Sequence, residues 1–318
     1  MIPEEWLAQA ASRLKDRIEI TPLLYDHKND LYLKCENRQR TGSFKLRGAY
    51  NKTLSLADWE RQQGLVTAST GNHGQGVALA VREIGGYVTV FASEQAVPAK
   101  LEAMRALGAR ICLVAGGYTN AENAALAYAA ESRSTWISPY NDGQVIAGQA
   151  TLGLEIIRQA PGTGSFTWLV PVGGGGLIAG IAAALHYSRQ PVTLVGVQSE
   201  ASPFMYNLFK RGSQSDVVES DSLADGLAGM VEPGAITIPI VQQSVAEMTL
   251  VSEEEIAWAV AYCWYHYGER IEASAAAALA AALTGKISAR PAVIVLSGGN
   301  IQPQVHQRIC QQWGRRVG

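Results

Sequence analysis

The sequence is poor in the residues that staple small folds or hold zinc. Cysteine occurs four times, at Cys35, Cys112, Cys263 and Cys310, widely scattered and never as C-x-x-C. That spacing argues against a zinc ribbon or a disulfide framework and reads as reduced thiols in a cytoplasmic protein. Charge is sparse and balanced: 17% of residues are Asp, Glu, Lys or Arg, 26 basic against 28 acidic. Neither a polybasic nucleic-acid groove nor an acidic tail is the main feature. No apolar run approaches the ~18 residues of a membrane span. The N-terminal stretch through Leu14 is charged and amphipathic and lacks the apolar core of a signal peptide. There is no G-x-x-x-x-G-K-[ST], no G-x-S-x-G and no H-E-x-x-H. The triphosphate loop, the nucleophile elbow and the zinc-protease helix are therefore missing.

What is present is apolar, at 47% of 318 residues, and long enough to bury roughly three quarters of its unfolded surface. Short β-branched runs alternate with segments of helical period. Strands are predicted at 31–35, 65–68, 87–92, 110–114, 136–138, 166–172, 192–198, 248–251 and 292–296. Helices are predicted at 74–84, 98–107, 119–131 and 141–158. Runs such as LVPV and VIVL are apolar throughout, as in strands covered on both faces of a parallel sheet. The expected class is α/β, with two open, twisted, mostly parallel sheets. SAAAALAAAL at 274–283 reads as a buried helix packed closely on a neighbour. Soft boundaries near Lys45 and at 139–142 suggest an inserted domain: 1–45 with 142–318 as the large unit, and 46–141 as the small one.

The 32 glycines exceed the average share of roughly 7% and cluster. Gly173, Gly174, Gly175 and Gly176 follow a predicted strand and open a predicted helix. That turn lets backbone approach a ligand, and the helix N-terminus offers free N–H groups to an anion. The same stretch fits G-x-G-x-x-A through Gly174, Gly176 and Ala179, with Glu200 downstream, so a nicotinamide-dependent dehydrogenase is the rival from a different class. A second turn, ASTGNHGQG at 68–76, combines glycines with hydroxyls, an amide and an imidazole, a set suited to a carboxylate. A third, LSGGN at 296–300, ends the last strand. Ligands in open α/β sheets bind at the carboxyl ends of strands, so the three turns point to one site. Lys45, flanked by Phe44 and Leu46 at the start of a helical pattern, is the candidate nucleophile, because a desolvated lysine loses its proton more easily.

TGSFKLRGA, STGNHGQG, VGGGGLIAG and LSGGN, in this order, resemble the fold type II pyridoxal-phosphate enzymes, and within them the serine/threonine dehydratase and serine racemase group. The likeness extends to YNDGQVIAGQAT, LADGLA and LVSEEEI. It implies a cofactor in the cleft between the two domains, a small amino-acid substrate, no nucleic-acid or membrane partner, and a homodimer. Residue by residue, it implies that Lys45 forms the Schiff base and Phe44 packs on the pyridine ring. Asn72 meets the ring hydroxyl, Ser297 the ring nitrogen, and the four glycines with the Leu177 N–H the phosphate. Ser69, Thr70, Asn72 and His73 line the substrate carboxylate pocket, with Gln149 nearby, and Gly226 sits by the substrate. Glu272 matches a family glutamate near the cofactor, without the Pro and Gly that usually follow it. A neutral hydroxyl at the ring nitrogen makes the ring a weaker electron sink, which favours prompt loss of a β-leaving group.

The implied reaction is β-elimination from a hydroxy amino acid such as L-threonine or L-serine, to a 2-oxo acid and ammonia, with Lys45 taking the Cα proton. Thr70 stands where racemases carry a serine as second base, and the racemase arginine has no counterpart near Asn120 and Ala121. Racemisation of serine or hydroxyaspartate is therefore the runner-up. Larger hydroxy amino acids, as in phenylserine or hydroxyectoine breakdown, and a non-catalytic relative of this fold are further alternatives. Gln198 and Phe204 occupy the family's acidic cation positions, so no metal is expected; Glu200 and Glu232 read as solvated acids. With the sequence ending at Gly318 soon after the last predicted helix, no regulatory domain is expected.

Overall fold

The computed structural model describes residues 1–161 and 166–316. Among these residues, ten strands build two sheets. The strands are β1 (Leu23–Asp26), β2 (Leu31–Cys35), β3 (Leu65–Ala68), β4 (Val88–Ser93), β5 (Arg110–Val114), β6 (Thr135–Trp136), β7 (Phe166–Pro171), β8 (Val192–Ser199), β9 (Glu247–Val251) and β10 (Ala292–Leu296). The six-stranded sheet runs β1-β2-β10-β7-β8-β9 and the four-stranded sheet β5-β4-β3-β6. Every pairing is parallel except β1 with β2. The interior strands β7 and β10 are buried along their whole length, as their unbroken apolar runs require, whereas the edge strand β5 is partly exposed.

β1 lies outside the strands expected from sequence. It pairs as an antiparallel edge through Leu23 with Lys34 to Asp26 with Leu31, and its four residues carry little periodic signal. β6 ends before the expected Ser138, because that hydroxyl accepts the Asn141 N–H at 2.9 Å and begins a turn. The expected alanine-rich helix is Ala273–Leu283, in which Ala273 through Ala282 are at most 3% exposed. With no side chain longer than a methyl over most of its surface, it lies directly on β7 and β10. Helix Lys45–Ser55 sits where the two sheets meet and packs on helices Asn72–Glu83 and Gly143–Gln159.

At the acidic positions noted from sequence, Gln198 is fully buried and its Oε1 accepts the Tyr206 N–H at 2.9 Å, capping helix Phe204–Arg211; Phe204 is buried in the core. Among the described residues, no helix is long and apolar enough to cross a membrane, and no group of three His, Cys, Asp or Glu could hold a metal.

Candidate active site

The carboxyl ends of β3 and β6 in one sheet and of β7 and β10 in the other open on a shared cavity of about 460 Å³. Phe44, Lys45, Ser69, Thr70, Asn72, His73, Gly173, Gly174, Gly175, Gly176, Leu177, Gly226 and Ser297 all line it. Local pairing brings Lys45 there. Phe44 N–H donates to the Ser297 carbonyl at 3.0 Å, Gly299 N–H donates to the Gly42 carbonyl at 2.9 Å, and Ser43 bridges Gly298. The TGSFK segment is thus zipped to the turn after β10, and Lys45 emerges as the first residue of its helix.

Lys45 Nζ donates to the Pro139 carbonyl at 2.9 Å. Burial pushes its ammonium down to about 8, and the Glu272 carboxylate offsets only part of that. No carboxylate reaches Nζ within ion-pair distance among the described residues. His73 is buried with Nε2 3.1 Å from the Ile137 carbonyl, an acceptor that fixes the proton on Nε2. Burial, helped by Lys45, pushes His73 down to about 3, so its imidazole stays neutral. Ser69 Oγ accepts the N–H groups of Gly71 (3.1 Å) and Gly74 (2.9 Å), leaving its own proton to donate. Asn72 Nδ2 donates to Glu272 Oε1 at 2.7 Å. Glu272 is buried, and burial together with Asp225 pushes its carboxyl up to about 7.

On the far wall, Gly175 has φ +86° and caps helix Gly176–Ser188. A Cβ on Gly174 would fall 2.5 Å from the Tyr140 ring, so only glycine lets that aromatic close over the turn. Thr237 Oγ1 donates to the Gly174 carbonyl at 2.7 Å and fixes the turn. The first amides of this helix have no intrahelical acceptor, which makes the turn an anion cradle.

Gln149 is the exception among the expected residues. It does not line the cavity; it is buried on helix Gly143–Gln159 against Gly48, where a Cβ would sit 2.4 Å from its Nε2. The helix turns Gln149 toward helix Lys45–Ser55. Glu200 also lies outside the cavity, with its carboxylate 3.5 Å from Lys286 Nζ.

The structure adds residues that motif reading missed. Lys100, Tyr118 and Asp225 line the cavity, and Lys100 Nζ meets Asp225 Oδ2 at 2.6 Å across it. Lys100 comes from helix Pro98–Ala106 and Asp225 from the short turn before Gly226, far apart in sequence. No spacing rule joins them; only the neighbouring Gly226 hinted at Asp225.

These groups fit pyridoxal phosphate. A lysine readily deprotonated, an amide donor, a serine hydroxyl and a helix-N-terminal anion cradle converge on one cavity. Residues 14–298 match the family described as pyridoxal-phosphate dependent enzyme. The whole chain is 39% identical to an L-threonine ammonia-lyase of Thermotoga maritima and covers 81% of it. Among solved structures, the processed form of threonine deaminase isoform 2 from Solanum lycopersicum superposes with TM-score 0.88 at 30% identity, covering 98% of this chain and 93% of that one. Serine racemase from Dictyostelium discoideum superposes with TM-score 0.85, also at 30% identity, covering 95% of this chain and 99% of that one. With sequence, fold and donor set agreeing over most of its length, the chain belongs to the family of pyridoxal-phosphate dependent enzymes.

Proposed function

We propose that this protein eliminates the β-hydroxyl of a small hydroxy amino acid, L-threonine or L-serine, to give a 2-oxo acid and ammonia. The observation that carries this reading is Lys45: an amine held in the cavity with no carboxylate in ion-pair contact among the described residues, its ammonium pushed down to about 8 by burial. Bound pyridoxal phosphate supplies the electron sink that acidifies Cα and lets the β-substituent leave.

The protein's own groups would do the rest. Lys45 Nζ takes the Cα proton. The hydroxyls of Ser69 and Thr70 and the N-terminal amides of helix Asn72–Glu83 receive the substrate carboxylate. Ser297 would offer a neutral hydroxyl to the ring nitrogen, and Phe44 would pack against the ring. The N–H groups of the tetraglycine turn and of Leu177 hold the phosphate. The His73 imidazole, pushed down to about 3 by burial and by Lys45, stays neutral and would add no charge beside the lysine. Lys45 would pass the Cα proton on, so that the β-hydroxyl leaves as water, and the released enamine takes up water to give the 2-oxo acid and ammonia.

The same reading divides the chain into a large unit, 1–45 with 142–318, and a small unit, 46–141, in a cytoplasmic homodimer. The placement of β3 to β6 between residues 65 and 136 and the scattered, unpaired cysteines support it. Racemisation is the second reading, supported by the Thr70 hydroxyl sharing the cavity with Lys45.

Assays of 2-oxo acid and ammonia across L- and D-serine, L- and D-threonine and bulkier hydroxy amino acids test the proposal. Stoichiometric 2-oxo acid and ammonia from an L-substrate is the expected result. Inversion of serine without ammonia would replace elimination by racemisation.

A further inference from the structure

Asn300 does not line the cavity, yet it touches the loop on either side of it. Its Nδ2 donates to the Thr41 carbonyl at 2.8 Å and to Asn72 Oδ1 at 2.7 Å. Its Oδ1 lies over Gly42, where a Cβ would fall 2.5 Å away. Gly42 has φ +71° and is the residue that turns the chain into Ser43, Phe44 and Lys45. One carboxamide therefore joins the TGSFK, STGN and SGGN segments.

The chemistry of the bonds gives this junction a direction. A carboxamide is nearly symmetrical in shape, so packing alone does not decide which end of Asn72 is donor and which is acceptor. The Thr41 carbonyl can only accept, so it must face the NH2 end of Asn300. The two hydrogens of that NH2 are then spent, one on Thr41 and one on Asn72. Asn72 must present oxygen toward Asn300, and its own NH2 turns toward the Glu272 carboxyl at 2.7 Å. One hydrogen of Asn72 Nδ2 goes to Glu272, and the second remains for an acceptor in the cavity that Asn72 lines. With the opposite orientation Asn72 would offer the cavity a lone pair.

We propose that Asn300 is a positioning residue that sets the orientation of the Asn72 carboxamide, so that Asn72 presents a hydrogen-bond donor to the ring oxygen of pyridoxal phosphate. This rests on Asn72 being the residue that meets that oxygen. Asn300→Asp reverses the instruction. An aspartate accepts on every side, so the Asn72 NH2 turns toward it and the Asn72 oxygen faces Glu272. The ring oxygen then loses its donor.

The test is a double-mutant cycle of Asn300→Asp with Asn72→Ala. Pyridoxal phosphate is titrated into apoprotein, and the pH midpoint of the visible band is followed in the loaded protein. Asn300→Asp is expected to weaken cofactor binding about ten- to a hundredfold, the worth of one hydrogen bond to a charged oxygen, and to move the pH midpoint. In the Asn72→Ala background it should add less than about twofold to the loss, because it acts through Asn72. An equal loss in both backgrounds, with the pH midpoint unmoved, would overturn the proposal and leave Asn300 a staple between loops. If Asn300→Asp does not fold, Asn300→Ser, which has a single donor hydrogen, enters the same cycle with the same two outcomes. Failure of the elimination reading would look different: the wild-type protein would bind the cofactor and show its band yet release no 2-oxo acid.

Discussion

Two lysines, Lys34 and Lys45, are both withdrawn from water and have opposite fates. Lys34 on β2 is completely buried and donates to Glu155 Oε2 (2.7 Å), Gln159 Oε1 (2.8 Å) and the Thr21 carbonyl (2.7 Å). Its neighbour Arg47, also completely buried, is bidentate to Glu36 and shares Glu155. Two cations and two carboxylates thus close a neutral cluster in which each charge has a partner. Lys45 stands two positions before Arg47 on the same helix, donates to a backbone carbonyl and lies over the Phe44 ring, with no carboxylate in ion-pair contact among the described residues. Burial pushes both ammonium groups down; at Lys34 Glu155 in hydrogen-bond contact pulls back, whereas at Lys45 Glu272 does so without contact. Placement of the counter-charge separates a structural lysine from a reactive one.

The largest expected effect is Lys45→Ala. It should abolish the visible cofactor band and lower 2-oxo acid production by about 10⁴-fold or more, with little change in the unfolding of the apoprotein. Arg47→Met reverses that pattern. It leaves Glu36 as an uncompensated buried carboxylate and should cost about 3–5 kcal/mol in denaturant unfolding, whereas the band reappears in whatever protein folds. If Arg47→Met were stable, the contrast between the two clusters would fail.

Glu272 sharpens the comparison by pH. Its carboxyl is pushed up from 4.5 to about 7 in the folded protein. The unfolded state therefore releases this proton at lower pH than the folded state does. The stability this group contributes is complete below about 4.5 and is lost as pH rises to about 7. Glu272→Gln should flatten the apoprotein's stability profile over that interval; an unchanged profile would show that Glu272 titrates normally. Lys45 acts in the other window. Its lowered value makes the apoprotein gain stability as pH rises from about 8 to 10.5, and Lys45→Met should remove that gain.

The smallest effect is expected at the rim. The Lys100–Asp225 pair is partly exposed, with Asp225 59% accessible. Lys100→Ala should change stability by no more than about 0.2–1 kcal/mol. Its signature should appear in KM, since the pair spans the mouth of the cavity.

Much of this was legible in the sequence. The short runs at 31–35, 65–68, 110–114 and 292–296 are strands with the expected bounds, each rich in the β-branched and large apolar residues that fit a pleated sheet. The three glycine turns line one cavity, because strand ends in parallel sheets share one side. β1 was missed because a four-residue edge has no period to detect. Gln149 was drawn toward the substrate by its motif, but helix phase carries it against Gly48.

The sequence by itself determined the α/β class, the strand-end glycines and the lysine in its apolar frame, since these follow from local period and backbone freedom. Only the tertiary structure decided which charges meet. Glu155 reaches Lys34 and Arg47 while, among the described residues, no carboxylate makes an ion pair with Lys45. Lys100 finds Asp225, and Asn300 orients Asn72. Each of these joins segments distant along the chain. Electrostatic pairing depends on separation in space, and that separation is set by the packing of the two sheets, not by position along the sequence.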